Sequence, residues 1–221
     1  RPDAATALYN LGNALASLDR LDEALQCFDR VVALDPSDAA ALNNRGVVLR
    51  DLLRDDDALA SFDEALALRP GYPEALNNRG NALQALRRHA EAIDSYERAL
   101  RERPVYAEAL NNRGNALLAL DRFGEALESY ERALAIQPDY AEAHNNRSAA
   151  LLALCRPEDA LEAAAQAIEA PAGYPEALGN RGKALQALGR HDEALQSYEE
   201  AHRLRPADAD GLNNLGNALH A

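Results

Sequence analysis

The side chains with chemical capacity recur in this chain at a fixed interval, and asparagine leads them. Asn10, Asn44, Asn78, Asn112, Asn146, Asn180 and Asn214 stand 34 residues apart. A second column lies one residue earlier, at Asn43, Asn77, Asn111, Asn145 and Asn213, with Tyr9 and Gly179 as exceptions. A third, three residues later, holds Asn13, Asn81, Asn115 and Asn217. A carboxamide is both donor and acceptor and can pair with a peptide group on either edge. Asparagine is a mediocre helix former, so its repetition within helices asks for a reason. Two uses fit the pattern: holding the backbone of an extended ligand, or bonding neighbouring helices.

The other reactive residue types form no comparable pattern. His89, His144, His191, His202 and His220 lack metal-ligand spacing and sit in no nucleophile motif. Cys27 and Cys155 form no metal or redox pair and read as reduced structural thiols. Glu and Asp are distributed by the repeat, which makes any pair of them poor evidence for acid–base catalysis. The segment is therefore read as non-catalytic, with no cofactor and no metal. Arg45, Arg79, Arg113, Arg147 and Arg181 follow the first Asn column. Their expected role is to pack their stems between helices and pair with acids such as Asp63, Glu97, Glu131 and Glu199.

The elements that must carry these columns follow from the same 34-residue ruler. Proline marks it at residues 2, 36, 70, 104, 138 and 206; only Ala172 breaks the series, with Pro171 one place early. Glycine repeats at 12, 46, 80, 114, 182 and 216, with Ser148 in the remaining slot. Units 5–38, 39–72, 73–106, 107–140, 141–174 and 175–208 result, and 209–221 begin a seventh. Each unit reads as two amphipathic helices, such as Leu76, Leu83 and Leu86 on the first and Ala92, Ile93, Tyr96, Ala99 and Leu100 on the second. A polar turn such as Arg87-Arg88-His89 separates them, and Glu23, Asp57, Glu91, Glu125, Asp159 and Glu193 open the second helix, where negative charge suits the dipole. The terminal proline stops that helix, and Pro73 and Pro175 suit the first turn of the next. The glycines predict close approach of the paired helices, with the small Ala of helix two facing the contact.

Hydrophobic content is 48% but aromatic content only 5%, which favours thin, Ala- and Leu-filled helix contacts over a thick core. The net charge of −13 argues against nucleic acid and anionic membranes as partners. No apolar run approaches the roughly 18 residues of a membrane span. Arginine dominates the basic residues, Lys183 being the sole lysine, which suggests GC-rich coding, a bacterial source and a cytoplasmic setting.

The series Leu76, Gly80, Leu83, Ala92, Tyr96, Ala99 and Pro104 resembles the tetratricopeptide-repeat (TPR) consensus, and it recurs along the whole chain. The resemblance implies an all-α solenoid of about 13 helices over residues 1–221, a right-handed superhelix of antiparallel pairs whose first helices line a concave groove. It also implies a protein- or peptide-binding module without catalysis of its own. Arg1-Pro2-Asp3 reads as the tail of a lost repeat and the chain stops inside a unit, so a fragment of a longer chain is expected. The Asn ladder resembles the TPR arm of O-linked N-acetylglucosamine transferases, whose groove asparagines hold peptide backbone. That carries over to Asn10, Asn44, Asn78, Asn112, Asn146, Asn180 and Asn214, with Asn43, Asn77, Asn111, Asn81 and Asn115 beside them.

The alternatives are a substrate-recruiting arm of such a glycosyltransferase, with the catalytic domain elsewhere in the parent protein, and a scaffold that self-associates end to end. The acidic first-turn row Glu74, Glu108, Glu142, Glu176 and Asp210 argues against acidic ligand tails and for extended partners with basic flanks. Lys183 and Arg50 are the basic residues placed on that surface. Tyr72, Tyr106, Tyr140 and Tyr174 end four consecutive units and are expected to pack on the next first helix. Unit 141–174 departs most, with His144, Ser148, the Cys155-Arg156-Pro157 turn and Ala164, and is expected to be the weakest interface and a hinge.

Overall fold

The structure, a computed structural model, describes residues 2–170, 174, 176–207 and 209–219, without the side chains of 2, 3, 209–211, 217 and 219. Expectations resting on Pro171, Ala172, Pro175, His220 or the side chains of Asp210 and Asn217 lie outside the described residues. Thirteen helices form among them, and no strand. The chain divides into two compact units, Arg1–Val105 and Tyr106–Ala221. The first holds α1 (Pro2–Ser17), α2 (Leu21–Leu34), α3 (Ala39–Asp51), α4 (Asp55–Leu68), α5 (Pro73–Ala85) and α6 (His89–Glu102). The second holds α7 (Ala107–Leu118), α8 (Phe123–Ile136), α9 (Ala141–Ala153), α10 (Pro157–Glu169), α11 (Ala177–Ala187), α12 (His191–Leu204) and α13 (Ala209–Leu219). Within each unit an odd-numbered helix packs on the even-numbered one that follows, and successive pairs stack.

Five of the second helices, α2, α4, α6, α8 and α12, end two residues before a proline. Asp35, Arg69, Arg103, Gln137 and Arg205 each precede a proline, and the clash with its ring drives them to extended φ values between −130 and −140°. Pro73 opens α5 as expected, whereas Pro157, read as part of a turn, is the first residue of α10. His89 likewise belongs to α6.

The turn inside each repeat is tighter than its polar composition suggested. Asp19, Leu53, Arg87, Asp121, Cys155 and Gly189 all have positive φ, and only the last is glycine. The following residue then donates its N–H five residues back, as in Arg88 N–H to Leu83 O at 2.8 Å and Arg156 N–H to Leu151 O at 2.9 Å, closing the first helix. That residue is always arginine, and it begins the next helix by gripping the acid three positions on. Arg20–Glu23, Arg54–Asp57, Arg88–Glu91, Arg122–Glu125, Arg156–Asp159 and Arg190–Glu193 all pair at 2.5–2.7 Å.

The glycine column faces rings rather than alanine, which corrects the sequence expectation. A Cβ on Gly46 would lie 2.6 Å from the Phe62 ring, and on Gly114 it would overlap Tyr130, 2.7 Å from Cζ. Gly12, Gly80 and Gly182 face Phe28, Tyr96 and Tyr198 in the same way. These rings are fully buried and form the centre of each helix pair. In the fifth repeat Ala164 replaces the ring, leaving room for Ser148, whose hydroxyl donates to Ala160 O at 2.8 Å. The buried apolar residues of α10 are all alanine: Ala160, Ala163, Ala164 and Ala167.

Candidate functional site

The face built from the first helices carries the asparagine columns, and the three columns do different work. Asn43, Asn77 and Asn111 are buried, at 6%, 1% and 0% exposure. Asn43 and Asn111 lie on the side of their helix that meets the next repeat and accept hydrogen bonds from it, as does the half-buried Asn145. Asn78 Nδ2 donates to Asn43 Oδ1 at 3.0 Å, Asn146 Nδ2 to Asn111 Oδ1 at 3.0 Å, and Asn180 Nδ2 to Asn145 Oδ1 at 2.9 Å. Where Tyr9 replaces the second-column amide, Asn44 donates to its hydroxyl at 3.0 Å and to Asn13 Oδ1 at 2.9 Å. Gly179 offers Asn214 no such side-chain acceptor.

The first column is therefore shared between structure and surface. Asn44, Asn78, Asn112, Asn146, Asn180 and Asn214 are half-buried and Asn10 is exposed. A carboxamide has two N–H donors and two acceptor lone pairs. The bridge to the preceding repeat uses one donor in Asn78 and Asn146, whereas Asn44 makes two such donations and Asn180 makes two to Asn145, the second to its backbone O at 3.3 Å. Asn44 and Asn146 also accept from the neighbouring Asn43 and Asn145, at 3.2 and 3.3 Å.

The third column anchors the buried rings. Tyr96 Oη donates to Asn81 Oδ1 at 2.7 Å, and Tyr130 Oη to Asn115 Oδ1 at 2.8 Å. In the sixth repeat Gln186 takes the Tyr198 hydroxyl at 3.3 Å. Val47 stands in this column beside Phe62, which has no hydroxyl to satisfy. Burial pushes the Tyr198 phenol up to about 12 and raises Tyr130 further, with the Glu142 charge adding to the latter. The pairing is not a fixed code: Asn13 stands in this column beside Phe28 and accepts from Asn44 instead, and Lys183 holds the place in the sixth repeat.

The acidic row at the start of the first helices is handled unequally. Glu74 pairs with Arg103, and Glu176 with Arg205 at 2.7 Å. Burial pulls the Glu74 carboxyl upward, but hydrogen bonds from Arg103 and the backbone, with the Arg103 and Arg69 charges, hold it below its ordinary value. Glu142 accepts from Asn111 Nδ2 at 3.0 Å and has Tyr140 beside it. Desolvation first, then the Glu142 and Glu108 charges, raises the Tyr140 phenol. Tyr72, Tyr106, Tyr140 and Tyr174 are all half-buried, and Arg69 stacks over the Tyr72 ring at 4.6 Å. In the first unit the same side opens into a cleft of about 470 Å³ bounded by Ala5, Thr6, Tyr9, Asp35, Asp38 and Ala40.

Three of the arginines that follow the first Asn column, Arg45, Arg79 and Arg147, pair with the second helix of the preceding repeat. Arg45 meets Asp29 at 2.9 Å, Arg79 meets Asp63 at 2.6 Å and the Ser95 hydroxyl at 2.6 Å, and Arg147 meets Glu131 at 4.0 Å. Lys183 is exposed, while Arg50 is half-buried beside Asp51. Among the described residues no group of three or more His, Cys, Asp or Glu could hold a metal ion, and no helix is long and apolar enough to cross a membrane.

Comparison with known proteins places the repeat. A tetratricopeptide-repeat family model matches residues 1–38, 9–73, 77–141 and 114–175, and a TPR-repeat model matches 182–221. No curated protein sequence matches. Among solved structures, PilF of Pseudomonas aeruginosa is 19% identical with a TM-score of 0.84, over 98% of both chains. YrrB, described as a TPR protein with an unusual peptide-binding site, is 24% identical with a TM-score of 0.66, over 84% of this chain and 96% of its own. A thermophilic TPR protein of Thermus thermophilus is 26% identical with a TM-score of 0.67, over 83% of this chain and 100% of its own. With the 34-residue period, the helix pairs and the family matches in agreement, this chain belongs to the tetratricopeptide-repeat family and has the repeat solenoid of a protein-interaction module.

Proposed function

We propose that the first-helix face of each unit holds an extended peptide by its backbone, with partner side chains of positive charge preferred. The observation that supports this most is the half-buried first Asn column. At Asn78 and Asn146 the bridge to the preceding repeat fixes the amide's orientation while using one of its two donors, and Asn44 and Asn180, which donate twice, keep acceptor capacity. Packed helices lie about 8–10 Å apart, and an extended chain rises about 3.3 Å per residue. One amide per repeat therefore meets about every third ligand residue. In the first unit Asn10, Asn44 and Asn78 supply the contacts; in the second, Asn112, Asn146, Asn180 and Asn214 do. Asn43 and Asn111 serve as the brackets that aim Asn78 and Asn146, Asn77 is buried in its helix pair, and Asn81 and Asn115 hold the rings beneath.

The charge preference follows from Asp35 and Asp38 in the first unit's cleft and from the Glu108 and Glu142 carboxylates near Tyr140 in the second. A cationic side chain gains there from both carboxylate and aromatic neighbours. YrrB, which shares this fold, carries a peptide-binding site by its own description.

The test is capture of unstructured decapeptides of varied sequence on a surface, with and without Lys or Arg. The reading expects capture that tolerates sequence change, is strengthened by basic residues, and weakens as salt rises. Capture that depends on one fixed side-chain motif and ignores backbone N-methylation would overturn it.

A further inference from the structure

A recess on α11, away from the asparagine columns, contains an arginine that has lost its acid. Positions 29, 63, 97, 131 and 199 of the second helices are all Asp or Glu, but residue 165 is alanine. The acids at 29, 63 and 131 are those that Arg45, Arg79 and Arg147 meet. Arg181 is the next arginine in that series and faces Ala165 instead. Among the described residues no carboxylate reaches it at ion-pair distance. The charge it feels is that of Glu193, whose carboxylate is already held at both oxygens by Arg190, at 2.7 and 2.6 Å.

The missing side chain leaves a cavity of about 260 Å³ between α10, α11 and α12. Leu161, Ala165, Ile168 and Leu185 form its apolar wall, Arg181 its cationic end, and Glu169 with the Arg190–Glu193 pair its rim. A water occupies about 30 Å³ of liquid, so the space suits a whole side chain rather than a small ion. Its chemistry is that of the deleted residue, a carboxylate on an apolar stem. A half-buried guanidinium gains most from a planar acceptor that can take two of its hydrogen bonds. A dianionic phosphate would meet repulsion from Glu169 and Glu193.

We propose that this recess binds an acidic side chain of a partner polypeptide, its methylenes on Leu161, Ile168 and Leu185 and its carboxylate on Arg181. The site is separate from the peptide-holding face and does not depend on it.

The probe is acetyl-Leu-Glu-Leu-amide, titrated while the Arg181 Nε–Hε resonance is followed by NMR and assigned through Arg181→Leu. The expected result is a saturable shift that weakens about tenfold or more when the probe's Glu becomes Gln, a loss of about 1.4 kcal/mol. Ala165→Glu restores the acid found in the other repeats and is expected to abolish the shift while leaving the protein folded, with a melting temperature at or above the parent's. No shift, an equal shift with the Gln probe, or binding that survives Ala165→Glu would each overturn the proposal. So would inorganic phosphate shifting the resonance at lower concentration than the peptide.

Discussion

The repeats at α7–α8 and α9–α10 share one unit and one register, yet fill it differently. The first sets Gly114 against the Tyr130 ring and caps the ring's hydroxyl with Asn115. The second has Ser148, Ala164 and Ala149 at those three positions. The changes cohere. Losing the ring frees space for the serine Cβ, the serine finds Ala160 O, and no hydroxyl is left for residue 149 to accept. The replacement of Glu131 by Ala165 has no such compensation, since Arg181 keeps its guanidinium. Coupled substitutions of the first kind preserve packing; an uncoupled one leaves an unmatched group at the surface.

The contrast breaks first at the ring. Tyr130→Ala should destabilise by about 3–5 kcal/mol, because α8 and α7 cannot close over the void. Ala164→Tyr should also destabilise, through overlap with Ser148, and Ser148→Gly should rescue it. Urea unfolding of the variants, single and combined, measures both. Next comes the glycine: Gly114→Ala should cost about 1–3 kcal/mol by pressing on Tyr130, whereas Ser148→Ala should cost about 1 kcal/mol, its one hydrogen bond.

Smaller again is the arginine pair. Arg79→Leu removes bonds to Asp63 and Ser95 and should cost about 1–2 kcal/mol. Arg181→Leu should change stability by less than about 0.5 kcal/mol. Equal costs would remove the distinction on which the unpaired arginine rests.

The smallest effect belongs to the turns. The hydrogen bond from Arg122 holds the Glu125 carboxyl below its ordinary value. A depressed carboxyl contributes stability above its unfolded value of about 4.3, and that contribution is lost as pH falls through the lower folded value. Carbon-detected titration should show Glu125 returning toward the ordinary value in Arg122→Ala, with little change in melting.

The period made much of this legible. Helix pairs, their proline stops and the acidic openings of the second helices all follow from residue types 34 apart. The tight turn was not, because Asp19, Leu53, Arg87, Asp121 and Cys155 adopt positive φ without glycine, so no residue type announces it. The glycine's true neighbour was also hidden: helical spacing places Gly80 and Tyr96 each on an inward face, but only packing shows that the ring tip fills the missing Cβ. For the asparagines, spacing revealed three columns but not their division of labour. Whether a half-polar residue faces the next helix or the solvent depends on one 100° step around the helix, which places Asn77 inside and Asn78 at the margin.

If the proposed function holds, the marginal amides, not the buried ones, meet the ligand. Decapeptide capture by Asn78→Ala/Asn112→Ala/Asn146→Ala, read beside its melting curve, tests this most directly. The lost bridges of Asn78 and Asn146 should each cost about 1 kcal/mol, a modest fall in melting, while capture should fall by about tenfold or more. A variant that melts early yet, still folded at the assay temperature, captures peptide as the parent does would return these amides to the role of bonding neighbouring helices alone.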